Sequence, residues 1–434
     1  MLYADARTVF GQFFATFGQG FVERKPRWQN GVTASMAMSV QVFQMDNPVD
    51  GRSWPFYRMV DLSSIVLAVG TLVLVFQALR HGLSGSIAVL ENLRAGLLTV
   101  NHIPPILPLA HDWRRPLFSV ILPTYQPTDT LRRALGSVLS QAPVPEMMQI
   151  AVVDDGSTAS LTRELVRSID PTGRVDVIES SDRLGLAGNW NRAIALSSGH
   201  LVHLLHQDDF VFPGFYSRME RAFRKDRQIG MAFCRSRIVD AREDTIKTSS
   251  RLRWLPGVMS DWMPTIGERQ RLQTPGAVVA RTTYETLGGY RDDLCHAVDW
   301  EMWVRIAAQF PVWHEPAVLA AYRRHNANES SRLFSSGEIW PDLVHAIQIN
   351  AASFPHEIKT AVVHRSARWY AGSALRTAAK QLNQGECLQA HATLSCIPAL
   401  LSMMCNASHG EAIRHRASLL QHRLNSGSNE LHAA

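Results

Sequence analysis

No internal repeat, no long low-complexity tract and no Cys-x-x-Cys pair occurs in the 434 residues. The five cysteines (Cys234, Cys295, Cys387, Cys396 and Cys405) are odd in number and irregular in spacing. That argues against a disulfide framework or a zinc knuckle and for a reducing compartment. The extreme N-terminus lacks a compact basic-then-apolar signal peptide. A mean hydropathy of -0.07 excludes a protein built mostly of membrane helices. The middle of the chain also lacks net charge: residues 116–354 carry 26 basic and 27 acidic side chains. A nucleic-acid reader concentrates positive charge on its working domain, so no nucleic-acid partner is expected.

What is present is ordinary globular composition, 46% apolar and 19% charged with Gly 27 and Pro 21. Such values exclude a wholly disordered chain, a collagen and a coiled-coil rod, and the length allows two or three domains at about 150 residues each. The positive excess sits on the flanks. Residues 1–115 carry 10 basic and 7 acidic side chains, and residues 355–434 carry 8 and 4. Basic flanks suit an anionic lipid surface or an acidic partner, or simply a soluble basic surface.

The first sixty residues mix aromatics with Gly, Asn and Pro and keep no period. Residues 62–79, LSSIVLAVGTLVLVFQAL, carry no charge and lie between Asp61 and Arg80. As a helix they span about 27 Å at about 1.5 Å per residue, just short of a hydrocarbon core of about 30 Å. The segment therefore reads either as a short transmembrane helix or as a buried one. A more amphipathic helix from Ile87 to Leu98 and the linker HIPPILP (102–108) follow.

From residue 116 short apolar runs alternate with helical stretches. LFSVIL (117–122), QIAVVD (149–154) and HLVHLLH (200–206) read as strands; 130–140, 161–169 and 187–198 read as helices. The alternation predicts an α/β domain with a largely parallel sheet covered on both faces. Ligands bind such sheets at the C-terminal strand edge, where each run ends in polar residues. After about residue 335 the chain turns helical and Ala-rich, and the pair 361–382 and 386–404 reads as a helical hairpin.

The run ends carry the chemistry. The first gives Pro123-Thr124-Tyr125. The second gives Asp154-Asp155-Gly156-Ser157-Thr158, where Asp155 either caps a helix or accepts hydrogen bonds from a nucleobase or ribose. In RLGLAGNWNRAI, Trp190, Ala193 and Ile194 form a buried face. Arg183 there is a candidate phosphate or base contact, and Asn189 and Asn191 are candidate local caps. The third run ends in His206-Gln207-Asp208-Asp209, whose adjacent carboxylates offer hard oxygen ligands for Mg²⁺ or Mn²⁺. Asp299, in VDWEMWVR, is either an N-cap or a general base. His325, in YRRHNANES, is a third metal ligand, a diphosphate contact or a solvated surface histidine. Trp254, Trp262 and Met263 form either an apolar wall for an acceptor or a surface loop.

The ordered set PTYQP, VVDDGST, RLGLAGNWNRAI, LLHQDD, TPGAVVARTTYETLGGY, VDWEMWVR and YRRHNANES resembles inverting family 2 glycosyltransferases of the GT-A fold over residues 114–335. The resemblance implies a Rossmann-like mixed sheet with helices on both faces, plus helical N- and C-terminal extensions. It implies a nucleotide-diphosphate sugar donor, a sugar or lipid-linked acceptor and a divalent metal, Mg or Mn. The donor contacts it implies are Pro123, Thr124, Tyr125, Asp154, Asp155, Arg183 and Asp208. Metal binding falls on Asp208 and Asp209 with His325, and the general base on Asp299. Two departures stand out: Gln207 where an Asp is common, and Val298 where a Glu is common.

The expected division is an N-terminal extension (1–110), a glycosyltransferase domain (111–335) and a helical C-terminal appendage (336–434). Segments such as GNWN and QTPGAVVAR are similar to cell-surface polysaccharide enzymes, rhamnosyltransferase-like members included. The expected location is the cytoplasm, with anchoring at the inner membrane if 62–79 binds lipid. A sugar-phosphate nucleotidylyltransferase is disfavoured because PTYQPTD lacks the glycine and lysine of a phosphate-cradling loop. A non-catalytic nucleotide-sugar binder is the alternative from another class.

Overall fold

The computed structural model describes residues 102–109, 114–158, 160–325 and 329–431. The apolar segment 62–79 and the 87–98 helix lie outside them, and no helix among the described residues is long and apolar enough to cross a membrane.

Ten strands form one sheet: β1 (Phe118–Thr124), β2 (Met148–Asp154), β3 (Asp176–Ile178), β4 (Leu201–Leu204), β5 (Phe210–Val211), β6 (Met231–Val239), β7 (Thr245–Thr248), β8 (Gly257–Val258), β9 (Ala277–Ala280) and β10 (Val312–Arg323). The order is β3-β2-β1-β4-β9-β6-β10-β5, with β7 beside β6 and β8 beside β10. The β3-β2-β1-β4 half is parallel, as is the β6–β10 pair. Strand β9 runs antiparallel between β4 and β6 and makes the sheet mixed.

Every residue of β1 is buried, which explains its unbroken apolar run. Its side chains still alternate. Val120 and Leu122 join one core with Ile150 and Val152 of β2, while Ile121 joins another with Ala151 and Val153. Helices α1 (Thr130–Leu139), α2 (Leu161–Ile169) and α4 (Phe215–Lys225) cover the first face. Helices α3 (Gly185–Leu196) and α7 (Val298–Gln309) cover the second. Trp190, Ala193 and Ile194 are in that core, as their spacing predicts. Two further helices, α5 (Trp262–Glu268) and α6 (Arg281–Leu287), flank β9.

The last quarter is helical: α8 (Glu329–Ser336), α9 (Ile339–Ser353), α10 (His356–Asn383), α11 (Cys387–Leu394), α12 (Ile397–Ser402) and α13 (Ala407–Leu431). Trp340, Ala346, Tyr370 and Leu375 enter the same core as Trp300 and Trp303 of α7. The expected second arm, 386–404, is two short helices. The break falls before Pro398, which is tolerated in a first helical turn but not in a helix interior.

Parallel register aligns the strand ends. Thr124 pairs with Asp154, and Ile121 pairs with Leu204, so β4 stops early and the 206–209 turn crosses the same edge. The β1–β4 contact needs a glycine at its start. A Cβ on Gly199 would stand 2.5 Å from the Ser119 amide nitrogen and 2.6 Å from the Phe118 carbonyl carbon. Backbone atoms cannot step aside, so Gly199→Ala should destabilise the fold by about 1–3 kcal/mol. Urea unfolding would register this as a lower midpoint at an unchanged m-value.

Candidate active site

The turn after β2 is built around Asp154. Its carboxylate accepts the Ser157 amide (2.8 Å), the Ser157 hydroxyl (2.6 Å) and the Thr162 hydroxyl. Both oxygens are thus engaged by Asp154's own loop and by α2. Asp155 faces the other way. Its backbone N–H donates to the Thr124 carbonyl at 2.9 Å, and its oxygens accept the Leu184 and Gly185 amides at 2.7 and 3.0 Å. It therefore caps α3, thirty residues on, rather than the next helix. Burial raises its pKa, against the pull of those two amides and of Arg183. Gly156, at φ +77°, lets the 182–183 backbone approach. The guanidinium of Arg183 lies 4.0 Å from the centre of the Tyr125 ring. Thr124, Tyr125, Asp155 and Arg183 thus meet at one edge, with Pro123 the penultimate residue of β1.

Gln207, the departure from the common acid, has a clear structural role. Its amide nitrogen donates to the Tyr125 carbonyl (3.0 Å) and its amide oxygen accepts the Tyr125 N–H (3.2 Å). An ionised carboxylate cannot donate, so it could not close this pair. Asn191 is no local cap either. It accepts the Tyr290 N–H and donates to the Tyr290 carbonyl, at 2.6 and 2.8 Å. Asn189 donates to the Val153 carbonyl at 3.1 Å.

Asp209 is fully buried. Its Oδ1 accepts the Arg323 N–H at 2.9 Å, and its Oδ2 lies 3.4 Å from His206 Nδ1. Burial first, and then the charge of Asp208, push its pKa up to about 6. Asp208 Oδ2 meets His325 Nε2 at 3.0 Å. Burial acts to raise Asp208, but the His325 hydrogen bond and the charges of His206 and His325 leave it lowered. The Asp208 hydrogen bond in turn raises His325. His206 stacks on Trp190 with ring centres 4.8 Å apart. Burial opposes the His206 cation, yet Asp209, Asp208 and Asp299 together raise its pKa.

Asp299 is the second residue of α7. Its Oδ2 accepts the Thr274 hydroxyl at 3.1 Å. Burial raises its pKa, only partly countered by His296, Thr274, the Trp300 amide and His206. The charges of Asp208, Asp209 and Asp299 thus all favour the cation of one imidazole. The sequence reading passed over that imidazole, although it stands in the HQDD run.

Ligand atoms of His206, Asp208 and Asp209 lie within 4.8 Å of one another. Asp209 Oδ2 and His206 Nε2 are buried without hydrogen-bond partners. The carboxylate oxygens suit Mg²⁺ or Mn²⁺, and the imidazole suits a transition ion better than Mg²⁺. His325 reaches the group through Asp208. A second such group is His102, Asp292 and Asp293, but Asp293 is held by both arms of Arg291 at 2.8 and 2.7 Å.

Residues 119–286 match the family model "Glycosyl transferase family 2". Over that segment the chain is similar to the family. An uncharacterized protein of Mycobacterium tuberculosis is 29% identical over 51% of this chain and 72% of its own length. The succinoglycan biosynthesis protein ExoU of Rhizobium meliloti is 37% identical over 22% of this chain and 27% of its own. A chondroitin synthase of Escherichia coli is 23% identical over 50% of this chain and 30% of its own. The chain thus spans less than a third of the latter two proteins. The solved structure of S. aureus TarS 1–349 in complex with UDP-GlcNAc shares the fold, with a TM-score of 0.54 at 13% identity over 72% of this chain and 91% of that one.

The family 2 match ends before Asp299, and the loop leading to that residue is held from farther still. Asp342, on α9, accepts three backbone N–H groups: Cys295 (2.8 Å), His296 (3.0 Å) and Ala297 (2.7 Å). Arg305 grips Glu301 at 2.9 and 2.8 Å and the carbonyls of Leu287 and Gly289. Nothing in the sequence marks Asp342, since one acid in a helix has no signature. The aromatic wall is corrected too. Trp262 is buried and stacked on Phe233, Met263 is partly buried, and only Trp254 is exposed. Hydrogen bonds to charged groups contribute about 1.5–3 kcal/mol each. Asp342→Ala should therefore lower turnover and thermal stability together, and faster hydrogen exchange confined to 295–299 would check that the loop is the cause.

Proposed function

We propose that the chain transfers a sugar from a nucleotide-diphosphate sugar to a hydroxyl acceptor by a single inverting displacement, with Asp299 as the general base. The observation that carries this is the grouping of His206, Asp208 and Asp209, whose ligand atoms lie within 4.8 Å of one another, with the charge of Asp299 also felt by His206. The solved neighbour TarS binds UDP-GlcNAc, which supports a nucleotide-sugar donor. The nucleoside lies along the Thr124–Tyr125 edge, where Asp155 keeps lone pairs beyond the two amides it already accepts and Arg183 stacks on Tyr125. Asp154 contributes by shaping that turn. Asp208, Asp209 and His206, with His325 steering Asp208, would hold a divalent ion, which would supply charge neutralisation at the diphosphate.

In the displacement, the acceptor oxygen bonds to the anomeric carbon as the bond from that carbon to the phosphate oxygen breaks. The electron pair leaves with the nucleotide diphosphate and the proton passes to Asp299. A base whose pKa lies above the ordinary 3.8 takes a proton more readily at working pH. Thr274 orients the carboxylate.

Asp299→Asn should lower transfer by about 10²–10⁴-fold while nucleotide binding, followed by calorimetry, survives. In the wild type kcat/KM should fall as pH drops through the raised pKa of Asp299, because the protonated acid cannot accept the proton. An acid limb no higher than that of a free carboxylate would count against the role.

Chelation of divalent ions should abolish transfer, and Mn²⁺ or Mg²⁺ should restore it. Asp209→Asn should raise the metal concentration giving half-maximal rate, and full activity in excess chelator would refute the metal reading.

A further inference from the structure

The loop between α5 and β9 is tied to the site at two points. At one end Thr274 donates to Asp299. Near its start the Gln270 N–H donates to the hydroxyl of Tyr370, on α10, at 3.4 Å. The Tyr370 hydroxyl in turn lies within electrostatic reach of both Asp299 and Arg269. Three polar atoms of this short loop are buried without hydrogen-bond partners: Arg269 Nη1, Gln270 Nε2 and Gln273 Oε1. Leaving such atoms unpaired costs about 1–3 kcal/mol each, so a polar partner supplied from outside the loop would be stabilising there.

The charge here is lopsided. The Arg269 guanidinium lies 3.4 Å from the centre of the half-exposed Trp369 ring, and Arg376 approaches the same ring at 5.9 Å. Glu268 lies 3.5 Å from Arg271 and 3.6 Å from Arg365. Burial and the neighbouring charge of Arg271 work against the Arg269 cation, and Glu268 offsets them only in part. Several guanidinium groups thus share one carboxylate, and a planar Arg fork pairs best with an oxyanion.

We propose that Arg269, held on Trp369 of the C-terminal helix and flanked by Gln270 and Gln273, reads the acceptor and selects one that carries a carboxylate or a phosphate near its attacking hydroxyl. The proposal rests on the reading of Asp299 as the base. It makes the C-terminal helices part of substrate selection, and it assigns Gln270 and Gln273 to neutral hydroxyls of the same acceptor.

The test uses the full chain and three soluble probes: a hexuronate-containing tetrasaccharide, its carboxyl-reduced neutral counterpart, and glucose 1-phosphate. Binding is measured by calorimetry, and donor turnover separately. The wild type should favour at least one acidic probe over the neutral one by about 10- to 100-fold. The tetrasaccharide signals a carboxylate acceptor and glucose 1-phosphate a phosphate acceptor. Arg269→Gln should erase the preference and Arg269→Lys should keep part of it. Arg224→Gln, which removes an exposed charge on α4, should keep all of it, and melting curves would show that each variant is folded. An equal affinity for all three probes, or a preference that survives Arg269→Gln, overturns the proposal. Donor turnover without charge preference sinks this inference alone. Charge preference that Arg269→Gln erases, with no donor turnover, overturns the acceptor assignment together with the proposed transfer and leaves only an anion contact.

Discussion

Bringing several carboxylates together where water is scarce is the constraint around which this site is arranged. Two like charges about 4 Å apart repel by about 4 kcal/mol at an effective dielectric of about 20, so each acid needs its own counterpart. The chain supplies a different one every time. Asp154 is answered by its own turn, Asp155 by the first amides of α3 and Asp208 by His325. Asp209 is answered by the Arg323 amide and His206, and Asp299 by Thr274. Those counterparts sit on the turns after β2 and β4, on α3, at and just past the end of β10, and on the loop before β9, so both halves of the sheet contribute to the site.

Sequence alone revealed the near half. Three apolar runs with polar ends are a strong local signal, and β1, β2 and β4 lie where those runs lie. Residues 161–169 form α2 with the expected bounds. The far half was less legible because β6 and β10 mix polar residues into their runs. Arg235, Arg237, His314 and Glu315 are strand residues, and their partners are distant in sequence. The candidate site shows the same division. The acids stood out as pairs at strand ends, whereas His206, Thr274 and Asp342 did not, because their meaning depends on which backbone faces them. Gln207 looked like a weakened motif until its two bonds to Tyr125 gave it a task no acid performs.

The part of the chain that matches the family model ends at residue 286, yet much of the support for the site comes later. Arg323 and His325 hold the acidic pair, Asp342 holds the approach to Asp299, and Tyr370 and Trp369 brace the loop that carries Arg269. Asp342, Trp369 and Tyr370 lie on helices that share one core with α7. The shared core makes the C-terminal helices structural partners of the sheet.

Polypeptides emerge from the ribosome amino end first and fold as their segments become available. Asp342 is what fastens the three amides ahead of Asp299. A growing chain that already contains every acid of the cleft still lacks the clasp that sets one of them in place. The approach to Asp299 is thereby completed only once α9, which follows the last strand of the sheet in the chain, has been made.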